Sequence, residues 1–323
     1  MSGPGALPGG AARGALAEAA ARAFGGRLGP LVAARENAIW RLDLPGGRRA
    51  ALRLHRPGYS SPAEIESELW WTARLAEAGF PCPAPLAAPD GRLRVELPGP
   101  VEATAVTWLE GAPLGAGAAP VPAAEMRFHA LGVLLADLHT RSDALALPAG
   151  FTRRRWDAEG LLGPAAHWGR FWTHPALDAA GRRLLLAART LARERLAAAE
   201  GLDFGLIHAD ALAENVLLRP DGSLALIDFD DAGFGWRMYD LAVAGSQALG
   251  TAAWPARRDA LLAGYATRRP LPAGAGGWFT LFAFCRAAAS LGWTLPRLAP
   301  EDPAVATYRA RALAAARLLL AGA

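Results

Sequence analysis

Apolar and polar positions alternate in three short runs near the start of the chain, Leu31 to Arg35, Ile39 to Leu44 and Ala50 to His55. A period of two predicts strands with one buried face, and Pro45-Gly-Gly-Arg48 between the last two predicts a hairpin turn. Ahead of them, Leu16, Ala20 and Phe24 share a helical face that stops at Gly25-Gly26, so a short helix is expected there. Residues 1–12, rich in Gly, Ala and Pro, are expected to be disordered. After His55 the period changes. Ser61 at the N-cap, Pro62 at the first helical position and Glu64 at the third predict a capping box and a helix running to Glu77, ended by Gly79. Short strands are expected around Leu86, over Leu93 to Leu97 and over Ala103 to Trp108.

The stretch Gly111 to Pro122, loaded with Gly, Ala and Pro, predicts a boundary, giving an N-terminal domain over 1–109 and a C-terminal one over 110–323. Beyond it helical spacing dominates, over Ala123 to Thr140, Ala179 to Ala199, Tyr239 to Leu249, Pro255 to Arg268, Trp278 to Leu291 and Pro303 to Leu320. One interruption breaks this run of helices. Val216 to Leu218 and Leu224 to Ile227 are apolar runs joined by Arg219-Pro-Asp-Gly-Ser223, a second hairpin.

Composition narrows the class. At 323 residues the chain is long enough for two cores, and 52% hydrophobic with 20% charged residues describes a folded protein. No apolar run reaches the ~18 residues of a membrane span. Met1-Ser-Gly-Pro-Gly lacks the basic and apolar regions of a signal peptide, so a cytoplasmic protein is expected. Every basic residue is arginine, the net charge is only +4, and the densest cluster, Arg153-Arg-Arg155, is too short for a nucleic-acid-binding arm. The absence of lysine also excludes a phosphate loop of the lysine-bearing kind. Two cysteines, Cys82 and Cys285, far apart in the chain, predict reduced thiols. Oligomeric state leaves no mark in the sequence.

The chemistry concentrates between His208 and Asp231. The second hairpin brings Asn215 and Asp228 to one end, with Asp210 just upstream. Two oxygen ligands suit a magnesium ion that shares its remaining positions with phosphates and water, and a further carboxylate is left to accept a hydroxyl proton. The competing reading is a hairpin with solvated acidic residues at its tip.

The spacing His208-x-Asp210, four residues, Asn215, followed by Ile227-Asp-Phe-Asp230, matches the catalytic loop and metal-binding stretch of kinase-fold enzymes. With Gly205-Leu-Ile-His-Ala-Asp210, Glu214-Asn-Val-Leu217, Ile227 to Trp236 and Tyr239-Asp-Leu-Ala242, the chain resembles the aminoglycoside phosphotransferase and choline kinase superfamily. Its nearest likeness is to the bacterial branch of homoserine kinase type II and stress-response kinase A. The resemblance implies an α+β, protein-kinase-like two-lobe fold, with a small antiparallel sheet followed by a mostly helical lobe. It implies ATP and Mg, with Asp210 as catalytic base and Asn215 and Asp228 as metal ligands. His208 would brace the loop, Asp230 would support it, and Asp240 would be a structural carboxylate behind it. Where relatives often read Asp-Leu-His-Pro-Glu-Asn, this chain has Asp210-Ala-Leu-Ala-Glu-Asn215, a departure bearing on rate or substrate.

The resemblance also gives roles to the first domain. Alternation puts Arg53 on the face opposite Leu52 and Leu54, where relatives place a cation for the α and β phosphates; an exposed strand arginine is the alternative. Glu68, beside Ile65 and Trp71 on the helix, would pair with it, with Glu64 and Glu66 as neighbouring alternatives. Asn37, in Arg35-Glu-Asn-Ala38, is a candidate for phosphate contact or a simple turn. Trp108-Leu-Glu110 would lay backbone against adenine. His139 reads as packed or hydrogen-bonded, and the aromatics of 150–172 as an acceptor pocket or gap filling. Arg286, Trp236 and Trp293 are expected on the acceptor side, with no individual assignment.

The expected activity is transfer of the γ-phosphoryl group of Mg-ATP to a hydroxyl of a homoserine- or choline-like amino alcohol. A Ser/Thr protein kinase, an aminoglycoside phosphotransferase and a non-catalytic nucleotide-binding regulator are the alternatives. Nucleic acid and membrane are not expected partners.

Overall fold

The computed structural model describes residues 5, 7–34, 36–116, 119 and 121–322. Arg35, Gly117, Ala118, Pro120 and five of the residues expected to be disordered (1–4 and 6) lie outside that set. The chain forms two compact units, one of residues 1–111 with 146–153, the other of 112–145 with 154–323.

The first unit holds α1 (Gly10–Ala23), β1 (Arg27–Ala34), β2 (Ala38–Asp43), β3 (Arg49–His55), α2 (Pro62–Glu77), β4 (Pro85–Leu86), β5 (Arg94–Glu96) and β6 (Glu102–Thr107). The strands make one antiparallel sheet in the order β1-β2-β3-β6-β4, with β5 also paired to β6. Helix α1 starts at Gly10, so 10–12 are ordered, contrary to expectation. The alanines that look like linker are strong helix formers, and Ala17, Ala20 and Ala21 are small enough to pack close against the sheet. Phe24, Trp40, Leu42, Leu52 and Leu54 complete that core. Helix α2 carries the capping box: Ser61 Oγ accepts from Glu64 N and the Glu64 carboxylate accepts from Ser61 N.

The second unit comprises β7 (Ala112–Pro113), α3 (Ala124–Asp143), β8 (Arg155–Trp156), α4 (Ala158–Leu162), α5 (Ala179–Ala197), β9 (Phe204–Ile207), β10 (Val216–Leu218), β11 (Leu224–Leu226) and β12 (Gly233–Trp236). It continues with α6 (Arg237–Gly245), α7 (Trp254–Ala266), α8 (Ala275–Thr294) and α9 (Pro303–Ala321). The expected hairpin is β10-β11, extended by β7. A second small sheet, β8-β12-β9, does not follow from the hydrophobic pattern. Its strands are short and broken by Gly205, Gly233 and Gly235, which look like loop. The glycines serve close approach, since a Cβ at Gly235 would lie 2.3 Å from the Ile207 side chain.

Candidate active site

In the second unit the site is built on the segment that leaves β9 at Ile207 and enters β10 at Val216. Its second residue, Ala209, has φ 63°, and Asp228 after β11 has φ 65°. Left-handed backbone disfavours a side chain, most plainly at alanine, so the surroundings must hold it. They do so from both sides.

Behind the loop stands Asp240, in the first turn of α6 and fully buried. Its Oδ1 accepts from Ala209 N at 2.6 Å and its Oδ2 from His208 N at 2.8 Å and His139 Nε2 at 3.0 Å. Three donors on one carboxylate call for its ionised form. Burial pushes Asp240 up, but the bonds from His139 and the His208 backbone outweigh that and hold it below the usual carboxylate range. Because Asp240 can only accept, His139 carries its proton on Nε2, and its Nδ1 accepts from the Tyr265 hydroxyl at 2.9 Å. Burial depresses this neutral imidazole to about 4.

His208 is likewise a bridge. Its Nδ1 accepts from Asp210 N at 3.3 Å, so Nε2 carries the proton and donates to Ile227 O at 3.0 Å. Ile227 N returns a bond to Asn215 O at 3.0 Å. Loop and post-β11 turn are thereby fixed to each other one residue before Asp228.

In front of the loop, Asn215 Nδ2 donates to Asp210 Oδ2 at 2.7 Å and to Asp210 O at 2.9 Å. Arg286 Nη2 donates to the other carboxylate oxygen, Oδ1, and Nη1 to Ala209 O at 3.2 Å. The guanidinium sits 4.8 Å from the centre of the Trp168 ring. Burial, with Asp231 and Asp228 nearby, pushes the Asp210 carboxyl up to about 7, while Arg286 pulls it down. Gln247 supports the stretch after Asp210: its Oε1 accepts from Ala213 N at 3.3 Å and its Nε2 donates to Glu214 at 2.6 Å.

Among the described residues no group of three or more His, Cys, Asp or Glu is arranged to hold a metal, so a cation here would lean on phosphates and water for most of its ligands. Asn215 gives its amide nitrogen to Asp210, and Asp231 and Asp228 raise the Asp210 carboxyl, so negative charge gathers in front of the loop. Few protein oxygens plus excess negative charge is what magnesium takes alongside phosphates. Asp230 is buried, and Asp231 accepts from Arg154 Nη1 at 3.3 Å while its carbonyl accepts from Trp156 Nε1 at 2.7 Å. The aromatics of 150–172 are mostly packing: Trp156 stacks on Tyr239, and Phe171 sits edge-on to Phe284.

In the first unit, Arg53 Nη1 meets Glu68 Oε1 at 2.9 Å, both nearly buried. Asn37 accepts at its Oδ1 from the backbone N–H of Arg56, the residue that follows β3, at 2.9 Å. Trp108 N donates to Arg49 O at 3.3 Å, and the Glu110 side chain is paired with Arg49 on β3. Sequence reasoning set Arg286 on the acceptor side without an individual role and left the Arg153-Arg-Arg155 cluster unassigned. A signal for Arg286 was present, since it is the one charged residue of α8.

Residues 28–278 match the model of the phosphotransferase enzyme family. An uncharacterized protein of Deinococcus radiodurans is 34% identical over 230 residues, which are 70% of this chain and 65% of that protein, just short of two thirds. A homoserine kinase of a Caulobacter species is 33% identical over 249 residues, 73% of this chain and 70% of that enzyme. Among solved structures, a microcompartment-associated aminopropanol kinase superposes with a TM-score of 0.82 at 30% identity, covering 95% of this chain and 96% of the other. The α+β fold, an antiparallel sheet followed by helices, is that of kinase-like phosphotransferases.

Proposed function

The chain belongs to the phosphotransferase enzyme family, and from that premise we propose that it transfers the γ-phosphoryl group of Mg-ATP to a hydroxyl of a small amino alcohol. The observation that carries this reading is the Asp210 carboxylate, held by Asn215 on one oxygen and Arg286 on the other. A base so fixed accepts the acceptor's proton as the oxygen attacks phosphorus, and positioning of this kind supplies much of the acceleration. Magnesium, when bound, offsets charge on the phosphates; Asn215 and Asp228 are the residues to hold it. His208 and Asp240 keep the loop in shape, and Asp230 supports the turn. Arg53, set by Glu68, takes the α and β phosphates; Asn37 and the backbone of Trp108 to Glu110 contribute to the nucleotide site.

Two names frame the acceptor. The aminopropanol kinase points to an amino alcohol without a carboxylate, the homoserine kinase to an amino acid. Arg286 and Arg154 are already paired with Asp210 and Asp231, so neither is set to take an acceptor carboxylate. That favours the amino alcohol. Transfer from labelled ATP to 1-amino-2-propanol, choline, homoserine, an aminoglycoside and a generic protein substrate tests it. Phosphorylation of the protein substrate alone would replace a small-molecule kinase with a protein kinase.

A further inference from the structure

The three consecutive arginines 153–155 go to three different places. Arg155 is exposed and pairs with Asp157, and Arg154 pairs with Asp231 in the second unit. Arg153 belongs to the first unit and its side chain is completely buried. A buried guanidinium is costly unless its donors find acceptors. Arg153 Nη1 donates to Glu64 O at 2.9 Å and lies 3.6 Å from Glu68 Oε2.

The two residues before it bind the same helix. Thr152 N donates to Ser67 Oγ at 3.0 Å, and the Phe151 ring meets Trp70 edge-on at 5.7 Å. Three consecutive residues therefore engage α2 at Glu64, Ser67, Glu68 and Trp70, a stripe along one face by helical spacing. Glu68 is gripped from two sides. Its Oε1 takes the bond from Arg53, while Oε2, buried and without a hydrogen bond of its own, faces the charge of Arg153.

We propose that Arg153 is a positioning residue for nucleotide binding: the strap 151–153 fixes α2, and Arg153 holds Glu68 in the one place from which it presets Arg53. The inference rests on the reading of Arg53 as a phosphate ligand. Without Arg153, one carboxylate oxygen is left buried and uncompensated, and Glu68 rotates away from Arg53 to find water or another donor.

The test is calorimetric titration of the full chain with Mg and AMP-PNP, and separately with adenosine, which has no phosphates. Arg153→Met is expected to weaken AMP-PNP about tenfold, a loss of ~1.4 kcal/mol, while adenosine binding stays unchanged. Arg153→Lys should recover part of the loss, and Ser67→Ala, which loosens the strap at Thr152, should weaken AMP-PNP in the same direction by a smaller factor. Should Arg153→Met fail to fold, these two variants decide. A merely structural Arg153 lowers the melting temperature and leaves the AMP-PNP affinity alone; with Arg53→Met weakened and the strap variants at wild-type affinity, the inference is overturned and the reading of Arg53 stands. Wild-type affinity in Arg53→Met overturns both.

Discussion

The loop after β9 has a back and a front, and each presents an aspartate, fully buried at the back and partly exposed at the front, in opposite circumstances. At the back Asp240 receives three donors, is held ionised, and has a neutral histidine beside it. At the front Asp210 shares its surroundings with Asp228 and Asp231 and is pushed up toward neutrality, with Arg286 opposing. Ala209 lies between them, its N–H given to the back and its carbonyl to the front. The same residue type thus meets opposite surroundings on the two faces, donors at the back and carboxylates at the front, which on the proposed reading separates a rigid support from a base.

That contrast is broken most directly at the two aspartates. Asp210→Asn removes the base and one of the two acceptors of the clamp, so transfer from labelled ATP should fall by a factor of roughly 10² to 10⁴ while stability falls by only about 1–2 kcal/mol. Asp240→Ala should do the reverse in kind: it strands three buried donors and costs about 3–5 kcal/mol in urea unfolding, with activity lost only as the loop loosens. Equal destabilisation in the two variants would erase the distinction.

The back face also carries its own pH signature. His139 titrates near 4 in the fold and at 6.5 when unfolded, so between those values only the unfolded chain takes up a proton. Stability from this group is complete above pH 6.5 and is lost as pH falls toward 4, by about 3 kcal/mol over the window. Urea unfolding of wild type and His139→Gln at pH 7 and pH 4.5 isolates it. The wild type should lose more on acidification, and parallel losses would mean that His139 is not the group responsible.

Much of this was legible from local signals. The capping box of α2, the opposite faces of Leu52 and Arg53, and the β10-β11 hairpin each depend on residues a few positions apart, where period and turn chemistry speak directly. Asp210, Asn215 and Asp228 were visible as a spacing. What could not be read are partners chosen by tertiary packing. His139 meets Asp240 across 101 positions of chain, Arg153 meets Glu64 across 89, and Arg286 meets Asp210 across 76. The strands of the β8-β12-β9 sheet were hidden because their glycines are there for contact, not for a turn.

Arg286 gives the smallest and sharpest test of the front face. Its two terminal nitrogens serve acceptors on consecutive residues, the carbonyl of Ala209 and the carboxylate of Asp210, a task that needs the planar fork of a guanidinium. Lysine keeps the charge but has a single nitrogen, so Arg286→Lys forfeits one charge-assisted bond, about 1.5–3 kcal/mol in general. Part of that falls on the loop and part on the base, and a drop of roughly tenfold in kcat is expected. A double-mutant cycle separates the two. If Arg286 acts through Asp210, the kcat effect of Arg286→Lys disappears in an Asp210→Asn background, where there is no base left to position. An undiminished effect there would assign Arg286 to the acceptor itself and detach it from the clamp.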